Sequence, residues 1–164
     1  MESKIIYLSL GSNLGNRLDY INTAIDCIKK VIGPIISTSS MFETPPVGFE
    51  ADTSFINCVI SVETYHSPQK VLQLNQEIER NLGRKKKNIY GYESRIIDID
   101  IILFGDLCIE YPELSIPHKE YVNRKFVLVP LQQLIPNHVD PNTHLTISQL
   151  LSNCSDMSKI EIIQ

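Results

Sequence analysis

Two aspartates inside an isoleucine-rich stretch constrain the fold and the chemistry of this chain more than any other feature. The stretch reads Arg95-Ile-Ile-Asp-Ile-Asp-Ile-Ile-Leu-Phe104, and its density of β-branched residues predicts a central β-strand. Because side chains alternate across a strand, Asp98 and Asp100 project from one face about 7 Å apart, and the isoleucines fill the other face. A buried carboxylate loses several kcal/mol of hydration, so two acids at this position need a partner.

A hard cation between the two carboxylates would meet that need. Mg²⁺ is usually held by one or two carboxylates together with substrate phosphates, and paired ions can clamp both ends of a phosphoryl displacement. The alternative is an exposed strand face whose acids pair with Arg95 or nearby lysines.

A cationic segment, Arg84-Lys-Lys-Lys87, leads into the same stretch. Acids beside arginine and lysine indicate a polyphosphate whose charge both sides share. A solvated basic loop is the other interpretation. The glycine-containing segment 11–15 lacks a following Gly-Lys-Ser/Thr and is not G-x-G-x-x-G, which argues against both standard nucleotide-binding loops.

The order of the predicted elements indicates an α+β fold. Apolar periodicity and turn signals predict a βαββαβ succession. This is the ferredoxin-like core, in which both helices cover one face of an antiparallel sheet and the opposite face stays free. The predicted strands are 4–10, 35–42, 54–64 and 95–104, and the predicted helices lie between Asn16 and Gly33 and between Ser67 and Gly83. A helix or strand at 126–134 and a helix at 147–151 add C-terminal elements.

Bulk properties favour one globular unit. A chain of 164 residues with 43% hydrophobic content can bury one sizeable core, so we expect a single domain over residues 1–164. A net charge of -4 argues against nonspecific nucleic-acid binding. No apolar run approaches membrane-spanning length, and the four cysteines form no Cys-x-x-Cys pair. We therefore expect a cytoplasmic protein that binds neither nucleic acid nor a membrane.

The strand at 54–64 contributes a second group of candidates. Phe55 and Asn57 point to the face that the two helices leave uncovered. An aromatic ring beside an amide can stack a flat heterocycle and hydrogen-bond its edge, and Phe126 could supply the second ring. Both phenylalanines would otherwise be ordinary core residues. His118 could contact a phosphate or exchange a proton, although a lone histidine is more often structural.

Seven segments, each weak alone, together match a known family in order and over nearly the whole chain. They are Leu-Gly-Ser-Asn-Leu-Gly at 10–15, Thr-Pro-Pro-Val-Gly at 44–48, Phe-Ile-Asn at 55–57, Ser-Arg-Ile-Ile-Asp-Ile-Asp-Ile at 94–101, Ile-Pro-His at 116–118, Asn-Arg-Lys-Phe at 123–126 and Val-Pro-Leu at 129–131. With these segments the chain resembles the 6-hydroxymethyl-7,8-dihydropterin pyrophosphokinases.

The resemblance implies an Mg-dependent diphosphokinase of folate biosynthesis. Such an enzyme transfers the β,γ-diphosphate of MgATP to the hydroxymethyl group of 6-hydroxymethyl-7,8-dihydropterin and releases AMP. Two Mg²⁺ ions would be bound by Asp98 and Asp100, and Arg84 and Arg95 would be catalytic. The expected partners are the two small-molecule substrates, and the expected state is a monomer.

The resemblance also implies the residues that contact each substrate. The pterin would contact Thr44, Val47, Phe55, Asn57 and Phe126. The nucleotide would contact Gln76, Glu79, Arg84, Arg95, Ile101, Ser115, His118 and Arg124. One segment departs from the family pattern, because Tyr90-Gly-Tyr-Glu-Ser94 stands where many members have Trp-Gly-Pro. Whether Tyr90 or Tyr92 replaces that tryptophan stays open, as does the choice among the lysines at 85–87.

Two other functions are compatible with a ferredoxin-like fold. An RNA-binding module would need exposed aromatics and a basic sheet face, whereas this face carries two aspartates. A non-catalytic ligand-binding domain differs from the enzyme by producing no AMP.

Overall fold

The computed structural model describes residues 2–45, 53–83 and 96–163. In chain order its elements are β1 (Lys4–Ser12), α1 (Arg17–Val31), β2 (Ile35–Thr38), β3 (Phe42–Thr44), β4 (Phe55–Thr64), α2 (Pro68–Asn81), β5 (Asp98–Phe104), β6 (Ile109–Glu110), β7 (Ser115–Ile116), a 3₁₀ turn (Tyr121–Asn123), α3 (Lys125–Leu134), α4 (Ile147–Asn153) and β8 (Glu161–Ile162).

An antiparallel sheet forms the centre of the molecule. Within the described ranges its order is β5-β1-β4-β3-β8, and β2 also pairs with β4. The long strand β1 lies between β4 and β5 and is antiparallel to both. α1 and α2 bury their apolar faces against one side of this sheet, in a cluster that includes Ile21, Ile28, Val71 and Ile78. The predicted ferredoxin-like α+β fold is therefore confirmed.

The two helices of the core begin at the residues that the sequence predicts. The Asn16 side chain accepts a hydrogen bond from Asp19 N at the start of α1. At the start of α2 the Ser67 side chain accepts one from Lys70 N, and Pro68 is the first helical residue. These side chains satisfy backbone N–H groups that have no partner inside the helix, which is why they favour helix starts.

The predicted strand at 35–42 is wrong in its continuity, because the structure divides it into β2 and β3. Ser39 lies at the break, where its N–H donates to Val59 O and its Oγ accepts from Val59 N. A side-chain oxygen thus takes the place of a backbone acceptor and interrupts the ladder. β3 then extends through Glu43 and Thr44, past the end of the predicted strand at residue 42. β1 likewise continues through Gly11 and Ser12 instead of ending at Leu10.

The sheet face opposite α1 and α2 is not free, contrary to the prediction. α3 and α4 pack on it through a second apolar cluster that centres on Val59, Ile102 and Leu103. The remaining end of that face carries Asp98 and Asp100, which stay partly exposed. No helix in the described part of the chain combines the length and the apolar character that a membrane span requires.

Candidate active site

The two aspartates lie on β5 and face away from α1 and α2. The prediction of a central strand is wrong, because β5 lies at the edge of the described sheet and pairs there with β1 alone. Asp98 pairs with Gly11 on β1, and Asp100 pairs with Ser9. Directly paired residues of antiparallel strands point to the same face. Ile99, between the two acids, is buried in the cluster under the helices. The two carboxylates therefore share one face, as the alternation of the sequence predicts.

The row of residues that contains Asp98 continues across the sheet to Asn57. Gly11 pairs with Asp98 on one side and with Asn57 on the other. Asn57 is only 3% exposed, and its Nδ2 donates to Thr44 Oγ1 over 2.7 Å. A Cβ atom at position 11 would lie 2.8 Å from Asn57 Oδ1, well inside ordinary contact distance. Glycine at this position therefore leaves the space that the amide occupies.

Two aromatic rings belong to the elements around this row. Phe55 begins β4 and pairs with Thr44, and its Cδ1 would be 3.7 Å from the same added Cβ at Gly11. Phe126 lies in the first turn of α3 and is partly buried against the second apolar cluster. The Arg124 guanidinium carbon is 5.7 Å from the centre of the Phe126 ring, a cation–π distance. A cation therefore lies beside the second ring.

His118 is held as a neutral hydrogen-bond donor. Its backbone N–H donates to Ile102 O on β5 over 2.9 Å. Its Nδ1 accepts from Glu120 N over 3.1 Å, which leaves the ring proton on Nε2. Burial, reinforced by the Arg124 guanidinium and partly offset by Asp98, lowers the pKa of His118 to about 4. The imidazole is thus uncharged near pH 7 and can donate from Nε2.

Glu79 connects α2 to the strand that carries the aspartates. It is 6% exposed, and its Oε1 accepts a hydrogen bond from Ile99 N over 2.8 Å. Since β5 pairs only with β1 in the described sheet, this N–H points to the open edge and Glu79 satisfies it. The carboxylate of Glu79 therefore holds the backbone between Asp98 and Asp100.

A protein-family model described as 7,8-dihydro-6-hydroxymethylpterin-pyrophosphokinase matches residues 7–136. The chain belongs to this pyrophosphokinase family. A 2-amino-4-hydroxy-6-hydroxymethyldihydropteridine pyrophosphokinase of Porphyromonas gingivalis is 40% identical over 80% of this chain and 91% of its own length. The Haemophilus influenzae protein of the same name is 33% identical over 95% of this chain and 96% of its own length.

Other relatives of this pyrophosphokinase-family chain are longer proteins. The folic acid synthesis protein fol1 of Schizosaccharomyces pombe is 39% identical over 92% of this chain, which spans only 20% of that protein. A crystal structure of Plasmodium falciparum HPPK-DHPS with pteroate has a TM-score of 0.76 and 20% identity, covering 92% of this chain and 42% of the other. At that identity the structural match concerns the fold.

The structure brings together three of the five residues that the pyrophosphokinase resemblance assigns to the pterin. Thr44, Phe55 and Asn57 meet where β3 and β4 pair. Phe126 comes from α3, which packs against these two strands. Val47 lies outside the described residues.

Among the described residues that the family resemblance assigns to the nucleotide, three are part of β5 or bond to it. Ile101 is part of β5, Glu79 bonds to it, and His118 bonds to it through its backbone. Arg124, which immediately precedes α3, lies close enough for its positive charge to lower the pKa of His118. Ser115 is half-buried in β7, and Gln76 is exposed on α2, unlike Glu79 one turn later. Arg84 and Arg95 lie outside the described residues, as do Lys85–Lys87, Tyr90 and Tyr92.

Two residues near the site were not identified from the sequence. The predicted strand 4–10 ends before Gly11, whereas the structure places Gly11 in β1 between Asp98 and Asn57, at the centre of the site. Arg17 is not among the sequence candidates, yet its side chain reaches Glu43 on β3 and Ser54, the residue before β4. Gly11 belongs to the segment 10–15 that matches the family, which could have marked it as part of the site. No local sequence pattern indicates the contacts of Arg17.

Proposed function

We propose that this chain transfers the β,γ-diphosphate of ATP to the hydroxymethyl group of 6-hydroxymethyl-7,8-dihydropterin and releases AMP, as a step of folate biosynthesis. Membership of the pyrophosphokinase family supports the reaction class, and the names of relatives that match this chain over most of their length support the substrate. The observation that carries the proposal is the continuous row of Asp98, Gly11 and Asn57 across one sheet face.

The two aspartates suit Mg²⁺, which shares its coordination with water and substrate, better than a metal ion that is coordinated by protein side chains alone. They supply two hard oxygen donors on one face, and no group of three or more His, Cys, Asp or Glu side chains suited to a metal occurs among the residues that the structure describes. Mg²⁺ typically takes one or two carboxylates and leaves its other positions to water and substrate phosphates. We assign Asp98 and Asp100 to two Mg²⁺ ions, which when bound would neutralise charge on the transferring group.

The pterin side of the site follows from the hydrogen bonds of Asn57. Its Nδ2 donates one of its two hydrogens to Thr44 Oγ1, which orients the amide, and Oδ1 can accept a hydrogen bond from an amino group on the edge of the pterin. Phe55 and Phe126 would stack on the two faces of the ring. The burial of Asn57 makes the match selective, because an analogue without the donor would leave a buried oxygen unsatisfied.

The phosphate side of the site combines neutral and positive donors. His118 would donate from Nε2 to a phosphate oxygen, and Arg124 would add positive charge near it. Arg84 and Arg95 would stabilise charge that develops on the transferring group, and Gln76, Ser115, Glu79 and the backbone of Ile101 would contact the rest of the nucleotide. Little covalent work is asked of the side chains, because phosphoryl-transfer catalysis depends mainly on alignment and electrostatics.

The decisive experiment is to incubate the purified protein with MgATP and the pterin and to quantify AMP and ADP separately. We expect AMP to form only when pterin and Mg²⁺ are both present, and EDTA to abolish it. Asp98→Asn and Asp100→Asn should each lower turnover by about a hundredfold or more. Asp106→Asn, which removes an exposed acid from the turn after β5, is the matched control and should behave like the parent.

Other outcomes of that assay identify the competing functions. ADP without AMP would indicate transfer of a single phosphoryl group, and pterin binding without turnover would indicate a ligand-binding domain. Full activity in either aspartate variant would refute the metal role of that residue.

We also propose that the chain acts as one domain, as a monomer and in the cytoplasm. Light scattering coupled to size-exclusion chromatography tests the monomer directly, since a dimer would double the 18.7 kDa mass.

A further inference from the structure

Arg17 makes contacts that its place in the helix does not require. It is the first residue of α1, where a positive charge opposes the helix dipole and an acid would be favoured. Its side chain leaves the helix and its Nη1 donates to Ser54 O over 2.7 Å and to Glu43 Oε1 over 3.1 Å. A single nitrogen therefore joins α1 to β3 and to the residue that precedes β4.

These two contacts lie directly behind the residues assigned to the pterin. Glu43 is paired with Ile56, so its side chain points to the helix side of the sheet, where Arg17 lies. The neighbouring pair, Thr44 with Phe55, points to the opposite side. Arg17 thus holds the end of β3 and the beginning of β4 from the rear, one residue away from Thr44 and Phe55.

A third hydrogen bond connects the same region to the segment between β1 and α1. Thr53 Oγ1 donates to the backbone oxygen of Asn13, and Asn13 is fully buried. Because Asn13 follows the end of β1, this contact and those of Arg17 tie the approach to β4 to the strand that contains Gly11. The positions of Phe55 and Gly11 are therefore linked through described contacts.

The Arg17–Glu43 ion pair is poorly suited to a purely stabilising role. The side chains of the two residues are 26% and 42% exposed, and ion pairs this accessible to solvent contribute little to folding. The hydrogen bond to Ser54 O, in contrast, fixes the backbone beside an aromatic ring. We propose that Arg17 is a positioning residue for the pterin side of the site, an inference that rests on the function proposed above.

The test separates positioning from stability by comparing the KM values of the two substrates. In Arg17→Met, which keeps the length of the stem but removes the donors, we expect the KM for the pterin to rise about tenfold. The KM for ATP should change by less than about twofold, because the described contacts of Arg17 do not reach β5. Lys29→Met is the matched control, since it removes an exposed cation from the last turn of the same helix.

Two conservative variants refine the result and remain informative if Arg17→Met folds poorly. Arg17→Lys keeps a charged donor and should lie between the parent and Arg17→Met in its pterin KM. Glu43→Gln keeps an acceptor and leaves the Ser54 contact intact, so its pterin KM should rise less than that of Arg17→Met. Thermal unfolding of all variants should remain close to that of Lys29→Met.

The outcomes distinguish this inference from the proposed function. If the parent forms no AMP, the proposed function fails and the inference fails with it. If the parent is active and Arg17→Met matches Lys29→Met in pterin KM, only the positioning role is wrong. An equal rise in the KM values of both substrates, or a loss of stability without a change in pterin KM, would also overturn it.

Discussion

Replacing Gly11 with alanine tests the packing between β1 and the buried amide of Asn57. The new Cβ would lie 2.8 Å from Asn57 Oδ1, so the amide must move by about 0.6 Å to restore a contact of roughly 3.4 Å. Taken along the hydrogen bond to Thr44, that shift would lengthen the 2.7 Å distance to about 3.3 Å, beyond the usual range.

The expected cost follows from the burial of the atoms involved. Weakening a hydrogen bond of a buried polar group costs about 1–3 kcal/mol, and Asn57 is 3% exposed. The backbone adds no penalty, since Gly11 is not among the glycines with positive φ. We therefore expect Gly11→Ala to lower the free energy of unfolding by about 1–3 kcal/mol and to reduce kcat/KM for the pterin by about tenfold or more.

The assay is a double-mutant cycle with Asn57→Ala, measured by urea unfolding and by turnover at saturating MgATP. Once the amide has been removed, the added methyl has nothing to displace, and Gly11→Ala should be neutral or stabilising by about 0.4–1 kcal/mol. The coupling between the two positions should therefore be strong. Equal costs of Gly11→Ala in the two backgrounds would show that the reasoning about this contact is wrong.

Two further predictions concern residues beside β5. Because His118 has a pKa of about 4 in the folded protein and about 6.5 when unfolded, the unfolded state binds more protons between these values. The free energy of unfolding should therefore be highest above pH 6.5 and fall by up to about 3 kcal/mol as the pH drops to 4. In His118→Gln the free energy of unfolding should depend less on pH between these values. An unchanged pH dependence in this variant would contradict the lowered pKa of His118. Glu79→Ala should destabilise the fold by about 1–3 kcal/mol because it leaves Ile99 N–H without its acceptor. Glu79→Gln should recover most of that loss in urea unfolding, and equal losses in the two variants would refute the hydrogen bond as the cause.

The face of the sheet that carries the acids could be predicted because strand periodicity is a local property. Asp98 and Asp100 alternate with isoleucines, and that alternation alone requires the acids to share a side. The helix starts at Asn16 and Ser67 were predictable for a similar reason, since each side chain bonds to a backbone N–H three residues later.

The break between β2 and β3 could not be predicted in this way. It depends on Ser39, which exchanges hydrogen bonds with Val59, and on Ser40, whose N–H donates to Gln133 on α3. These partners are distant in sequence. The extension of β1 through Gly11, past its predicted end at residue 10, has a related cause, because β4 and β5 supply strand partners on both sides.

By itself, the sequence determined the family, the ferredoxin-like core and the two acids on one strand, because each depends on residue types at short, regular spacing. Only the tertiary structure decided that α3 and α4 cover part of the second sheet face, that Gly11 makes room for Asn57, and that Arg17 reaches Ser54. Those contacts join residues far apart in the chain, and they follow from how complete elements pack rather than from any local pattern.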